Sequence, residues 1–125
     1  MRGYFSMILH AHLPYVRHPE YEEFLEEDWL YEAISETYIP LLNMFENLTR
    51  DKIPWSITMT MSGTLANMLN DELLRSRYEV SLNKSLELCR LEVERLKDQE
   101  ELLNVAKFNL SFFKRAKETF LRYNG

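Results

Sequence analysis

An almost unbroken apolar run, YFSMIL at residues 4–9, opens the chain. Short and apolar on both faces, it predicts a fully buried strand of a parallel sheet, with Pro14 closing it off. Residues 15–28 (YVRHPEYEEFLEED) show no clear period and include Pro19, which predicts a long loop. Asp28 is placed to cap a helix whose apolar face is built from Leu30, Ala33, Ile34, Leu41, Leu42, Phe45 and Leu48. Pro40 falls inside that pattern and predicts a kink near the helix middle. In residues 54–61 (PWSITMTM), Trp55, Ile57, Met59 and Met61 alternate with Ser56, Thr58 and Thr60, the period of a second strand. The order strand, helix, strand is a βαβ unit with parallel strands. Ser62-Gly63-Thr64 then turns the chain into a short helix through Leu69.

From about Asp71 onward no strand pattern appears. Leu82, Leu86, Cys89, Val93 and Leu96 recur at helical spacing and mark one seam of a long helix. Asp98 with Glu101 has the form of a capping box and predicts a second helix. Its stripe continues through Leu103, Ala106, Leu110, Phe113 and Phe120, and its end is expected at Asn124-Gly125. The pattern therefore divides the chain into a βαβ unit over residues 1–70 and a helical hairpin over 71–125. Two parallel strands alone make a poor sheet, because both present unpaired edges. The expected fold class is α/β, with the chain read as the N-terminal part of a larger domain and the remainder expected downstream.

Charge and composition narrow the partners. With 15 Lys plus Arg against 20 Asp plus Glu, the net charge is −5, which argues against nucleic acid or an anionic membrane. No apolar stretch approaches the roughly 20 residues of a transmembrane helix. The residues after Arg2 lead to histidines rather than to a small-residue cleavage site, so no signal peptide is read. Cys89 is the lone cysteine, which excludes an internal disulfide and suits a cytoplasmic protein.

Candidate chemistry concentrates at His10-Ala11-His12-Leu13-Pro14, directly after the first strand. Ligands bind at the carboxyl ends of strands in α/β sheets and barrels, and period two puts both imidazoles on one side of an extended chain. One reading buries them as hydrogen-bonded structural groups. A second makes them metal ligands, as in metal-dependent amidohydrolases, which requires further His or Asp ligands at later strand ends. A third has them donate hydrogen bonds to a sugar ring. His18 is the remaining histidine and lies in the predicted loop, so ligand counting leaves the choice open.

The wording around these histidines narrows the choice. HAHLPY followed by WLYEAISETYIPLL at residues 29–42 resembles the opening of branching-type enzymes of glycoside hydrolase family 57. The first segment is similar to that family's first motif and the second to the helix behind it. The resemblance is strongest over residues 3–45 and looser through the helical region. It implies a (β/α)7 barrel with a helical insertion near the N-terminus, and a retaining mechanism on α-1,4-glucan, as in 1,4-α-glucan branching enzymes. Such a mechanism uses two carboxyls about 5–5.5 Å apart. In the family these are a Glu and an Asp of the third and fourth motifs, so no catalytic residue falls within this chain. What the resemblance carries onto these residues is substrate binding by His10 and His12, and by Trp29, whose ring suits stacking on glucose. A core tryptophan is the alternative for Trp29. No metal and no organic cofactor is implied.

Other features read more plainly. Glu22, Glu23, Glu26, Glu27 and Asp28 are read as a solvated loop and a complement to the helix dipole rather than a cation site. Cys89 lies on the apolar seam and is read as a core residue, not a nucleophile. Two rival functions stand beside the glucan-acting enzyme: an amidohydrolase-like metal enzyme using His10 and His12, and a small helical interaction protein built on residues 71–123.

Overall fold

The computed structural model describes residues 5–123, so the predicted strand start at Tyr4 and the predicted helix end at Asn124-Gly125 lie outside the described residues. Strand β1 (Ile8–Ala11) and strand β2 (Thr58–Met61) pair in parallel, with Ile8 opposite Thr58, Leu9 opposite Met59, His10 opposite Thr60 and Ala11 opposite Met61. Strand β2 is shorter than its predicted run, and β1 is displaced along the chain, keeping Ile8 and Leu9 and running on through His10 and Ala11. The first is also not fully buried: Phe5 is 85% and Ile8 56% exposed. A two-stranded sheet lays one face on the helices and leaves the other open, so the period-two alternation decides burial. Ala11 enters the core, and Met59 and Met61 face helical side chains. Ile8, His10, Thr58 and Thr60 share the opposite face.

The connection between the strands is helical. Helix α1 (Glu27–Ala33) begins one residue before the predicted cap: Glu26 stands at the N-cap without a side-chain bond, and Asp28 lies inside the first turn. A π-helical turn (Ile34–Tyr38) follows and leads into helix α2 (Ile39–Arg50). Pro40 is near the α2 start, so the irregularity falls just ahead of the proline. The Ile39 N–H reaches back to the Ile34 carbonyl. Widening the turn in this way accommodates a ring that has no N–H to give and would crowd the preceding turn. Helix α2 ends on Lys52 in the left-handed region, with φ at 56°. Lys52 N–H bonds the Thr49 carbonyl at 3.1 Å and Ile53 N–H the Leu48 carbonyl at 2.9 Å, a Schellman ending without glycine.

Helix α3 (Gly63–Leu69) is capped by Ser62, whose Oγ accepts from the Leu65 N–H, and α4 (Glu72–Arg95) by Asp71, which accepts from the Leu74 N–H. Helix α5 (Glu100–Arg122) completes the hairpin. The predicted capping box does not form there. Asp98 sits in the turn, Gln99 is the N-cap, and no side chain caps the helix, because Asp98 is one residue too early to reach the first free N–H groups. The seam is as patterned: Leu82, Leu86 and Leu96 are buried, with Cys89 and Val93 half-buried. Burial, and then the nearby Glu92, push the Cys89 thiol up, in keeping with a packing role.

Tyr78 of α4 is central to the core. Its ring meets Phe120 of α5 edge-on at 4.8 Å, and its hydroxyl lies 2.8 Å from the Ser35 hydroxyl of the π turn. Burial raises the phenol to about 12. Tyr78→Phe leaves the buried Ser35 hydroxyl without its partner and should cost about 1–2 kcal/mol. Urea unfolding checks this as a lower midpoint at unchanged slope; removing Ser35 Oγ as well should recover part of the loss.

Candidate functional site

The parallel register fixes the first part of the site. His10 and Thr60 are cross-strand partners on the open face, and His10 Nδ1 lies 2.8 Å from Thr60 Oγ1. His12 follows one residue past the end of β1 and is exposed. Both imidazoles therefore lie at the carboxyl end of the first strand, outside the core. Within this chain neither ring packs among its core residues. Trp29 is in the first turn of α1 and 50% exposed within this chain. Of these three residues, His10 alone has a hydrogen-bonded side chain among the described residues. Trp29 shares no hydrogen bond with either histidine, and the structure does not join it to them.

Residues 12–26 leave the strand and are tied down by polar contacts that the sequence did not disclose. Arg17 Nε donates to Asp71 Oδ2 at 2.7 Å, and the Val16 N–H points at Met68 Sδ at 3.3 Å. Glu27, read from sequence as part of a solvated acidic run, is only 1% exposed. Its Oε1 accepts from Arg77 Nη1 at 2.5 Å and from the His18 N–H at 3.2 Å, and its Oε2 accepts from the Tyr31 hydroxyl at 2.9 Å. Burial and that carboxylate together hold the Tyr31 phenol well above its ordinary range. Arg77 also donates to the His18 and Tyr21 carbonyls, so one guanidinium of α4 secures both the loop and the start of α1. A Glu27–Arg77 pair is invisible in sequence because its partners are 50 residues apart.

His18 adds a titratable clasp to the same loop. Its Nδ1 lies 3.3 Å from Glu20 Oε1, its Nε2 lies 3.2 Å from Glu26 Oε2, and its ring meets Phe24 at 3.8 Å between centroids with the planes tilted by 35°. Desolvation opposes the charge, but the bonds to Glu20 and Glu26 outweigh it and raise the pKa above 6.5. Glu20 is lowered, first by its own backbone hydrogen bond and then by His18. A raised imidazole stabilises the loop below its unfolded-state pKa and loses that contribution as pH rises through the folded value. The carboxylate contribution is lost as pH falls through the lowered pKa of Glu20. Amide protection of residues 15–26, as the exchange rate relative to the intrinsic rate at each pH, should therefore be greatest between these two values and fall on the alkaline side. His18→Gln should abolish that alkaline fall in protection. A loop whose exchange shows no such difference from the variant has no His18 clasp.

An apolar cavity of about 270 Å³ lies between β2 and the helices, lined by Met59, Met61, Phe45 and Phe120 among others. It is on the sheet face opposite His10, and none of His10, His12 and Trp29 lines it. Among the described residues no three His, Cys, Asp or Glu side chains come together as a metal cluster, and no helix is long and apolar enough to cross a membrane.

A parallel βαβ unit with imidazoles at the strand end is the construction of an α/β-barrel enzyme's substrate face. The family model for glycosyl hydrolase family 57 matches residues 6–125, and the chain belongs to that family. Over 125 residues it is 34% identical to the 1,4-α-glucan branching enzyme of Thermococcus kodakarensis, covering all of this chain and 18% of that protein. It superposes on the crystal structure of the α-amylase AmyC from Thermotoga maritima with a TM-score of 0.93 at 44% identity, covering 100% of this chain and 24% of that one. The Thermococcus branching-enzyme structure gives 0.85 at 33% identity, covering 99% and 22%. The chain thus spans about a fifth of the length of the relatives it matches. Its two parallel strands and following hairpin are the N-terminal part of a family 57 (β/α)7 barrel.

Proposed function

We propose that this chain forms the N-terminal part of a retaining enzyme that acts on α-1,4-glucan, of the branching type, in glycogen- or starch-type polysaccharide metabolism. The observation that carries this reading is the likeness to a 1,4-α-glucan branching enzyme along the whole chain. His10 and His12 then line the subsite where the bond breaks, donating to sugar hydroxyls, and Trp29 offers an exposed ring to a further glucose. The nucleophile and the acid/base come from the later barrel motifs, so residues 1–125 bind and orient without cleaving. Hydrolysis is the second reading, favoured by the 44% identity to an α-amylase. Family membership favours either over the metal-dependent amidohydrolase and over a helical interaction protein. The lone Cys89 suits a reducing cytoplasm.

Titration of the 15N-labelled chain with maltoheptaose tests the site. We expect side-chain signals of His10, His12 and Trp29 to move together, with turnover of amylose at the blank level. Iodine staining and reducing-end assays check the second point. Histidine signals that respond to zinc and not to the oligosaccharide would favour metal ligation instead.

A further inference from the structure

We propose that Thr60 is a positioning residue for His10: its hydroxyl donates to His10 Nδ1 and holds the neutral ring as the Nε2–H tautomer, leaving Nε2–H as the free donor for a sugar oxygen. The use of that donor rests on the glucan-binding reading above, whereas the tautomer does not.

A neutral imidazole has one N–H and one lone pair, and the partner of one ring nitrogen decides the role of the other. His10 and Thr60 are directly opposed in the parallel ladder, which brings Oγ1 to 2.8 Å from Nδ1. Among the described residues, His10 Nδ1 is the side-chain or backbone acceptor that the Thr60 hydroxyl meets. A hydroxyl proton placed there pairs both groups in one bond and puts the ring proton on the opposite nitrogen. The reverse arrangement, Nδ1–H donating to Oγ1, would leave Nε2 as a bare acceptor. A bare acceptor can take a proton from a sugar hydroxyl but cannot stabilise negative charge on a departing oxygen. The bond also fixes the ring plane, because β1 and β2 are held together by backbone hydrogen bonds on either side of this pair. A donor so oriented has less freedom to lose when it meets a ligand.

Long-range 1H–15N correlation of the histidine rings, recorded on the intact chain at alkaline pH, reads the tautomer directly. Should the chain self-associate at that concentration, solid-state 15N shifts carry the same signature. His10 should be the Nε2–H form alone, Thr60→Val should return it to the mixture of a free imidazole, and Thr60→Ser should restore the single form. His12 should be unchanged in all three and serves as the control for folding. A wild-type His10 in the Nδ1–H form overturns the proposal without any variant. Identical His10 patterns in wild type and Thr60→Val overturn it too. Added maltoheptaose separates the two readings: a fixed Nε2–H tautomer with no response to the sugar sinks the binding role and leaves the Thr60 assignment standing.

Discussion

Arg77→Ala should destabilise the chain by about 3–5 kcal/mol, the range for breaking a buried ion pair by removing one partner. Glu27 is buried and its Oε1 faces the guanidinium, so the truncation leaves a carboxylate charge in the core with only the His18 N–H and the Tyr31 hydroxyl to meet it. The same change releases the His18 and Tyr21 carbonyls and with them the inner side of the loop. Urea unfolding should show the lowered stability, and limited proteolysis should cut first within residues 18–26. Glu27→Gln with Arg77 intact should cost less, because an amide oxygen still accepts from the guanidinium. A value for Arg77→Ala below about 1 kcal/mol, typical of a solvated surface pair, would mean that the pair is not buried in solution.

That pair marks the limit of what the pattern of residues could show. The elements themselves were legible: a continuous apolar run gave the first strand, apolar period two the second, and the seam from Leu82 to Leu96 gave the hairpin. Local errors came where a nearby alternative won. Asp28 and Asp98 both have capping chemistry, yet the chain enters α1 through turn bonds at Glu27 to Trp29 and enters α5 at Gln99. The end of α2 gave no warning, since Lys52 takes the left-handed position usually held by glycine. Pro40 announced an irregularity but not its form, a π turn that precedes it. The first strand has one face covered within this chain, whereas its continuous apolar residues imply two.

The candidate site was half legible for a related reason. Two histidines at a strand end are placed along the chain by the sequence, although His10 falls inside β1 rather than after it. Thr60 belongs to the alternating polar set of the second strand, but which threonine faces His10 depends on a register set by the intervening 46 positions, 12–57, and their helices. A one-residue slip would have put a methionine opposite His10 and a threonine into the core. The register sets Met59 and Met61 on the side of the apolar cavity, and the His10–Thr60 contact follows from the same alternation.

His10→Ala should lower kcat/KM about 100-fold, or about 2.7 kcal/mol, in a hybrid carrying this chain in place of the matching segment of the Thermotoga maritima enzyme. That relative suits the graft because its backbone matches this chain at a TM-score of 0.93 over the full 125 residues. A donor to a sugar oxygen that tightens in the transition state acts on kcat more than on KM, which is the signature to look for. His12→Ala should fall in the same range, whereas Trp29→Ala should raise KM or shift transfer towards hydrolysis, as loss of a stacking surface predicts. The melting temperature of the hybrid should move little with either histidine, as expected of rings that line a solvated cleft and not a core. Unmutated hybrid with measurable activity on amylose is the reference. Against that reference, histidine variants within about twofold of it in kcat/KM would remove the pair from the substrate site. Stoichiometric zinc lost with either histidine would reassign them as metal ligands.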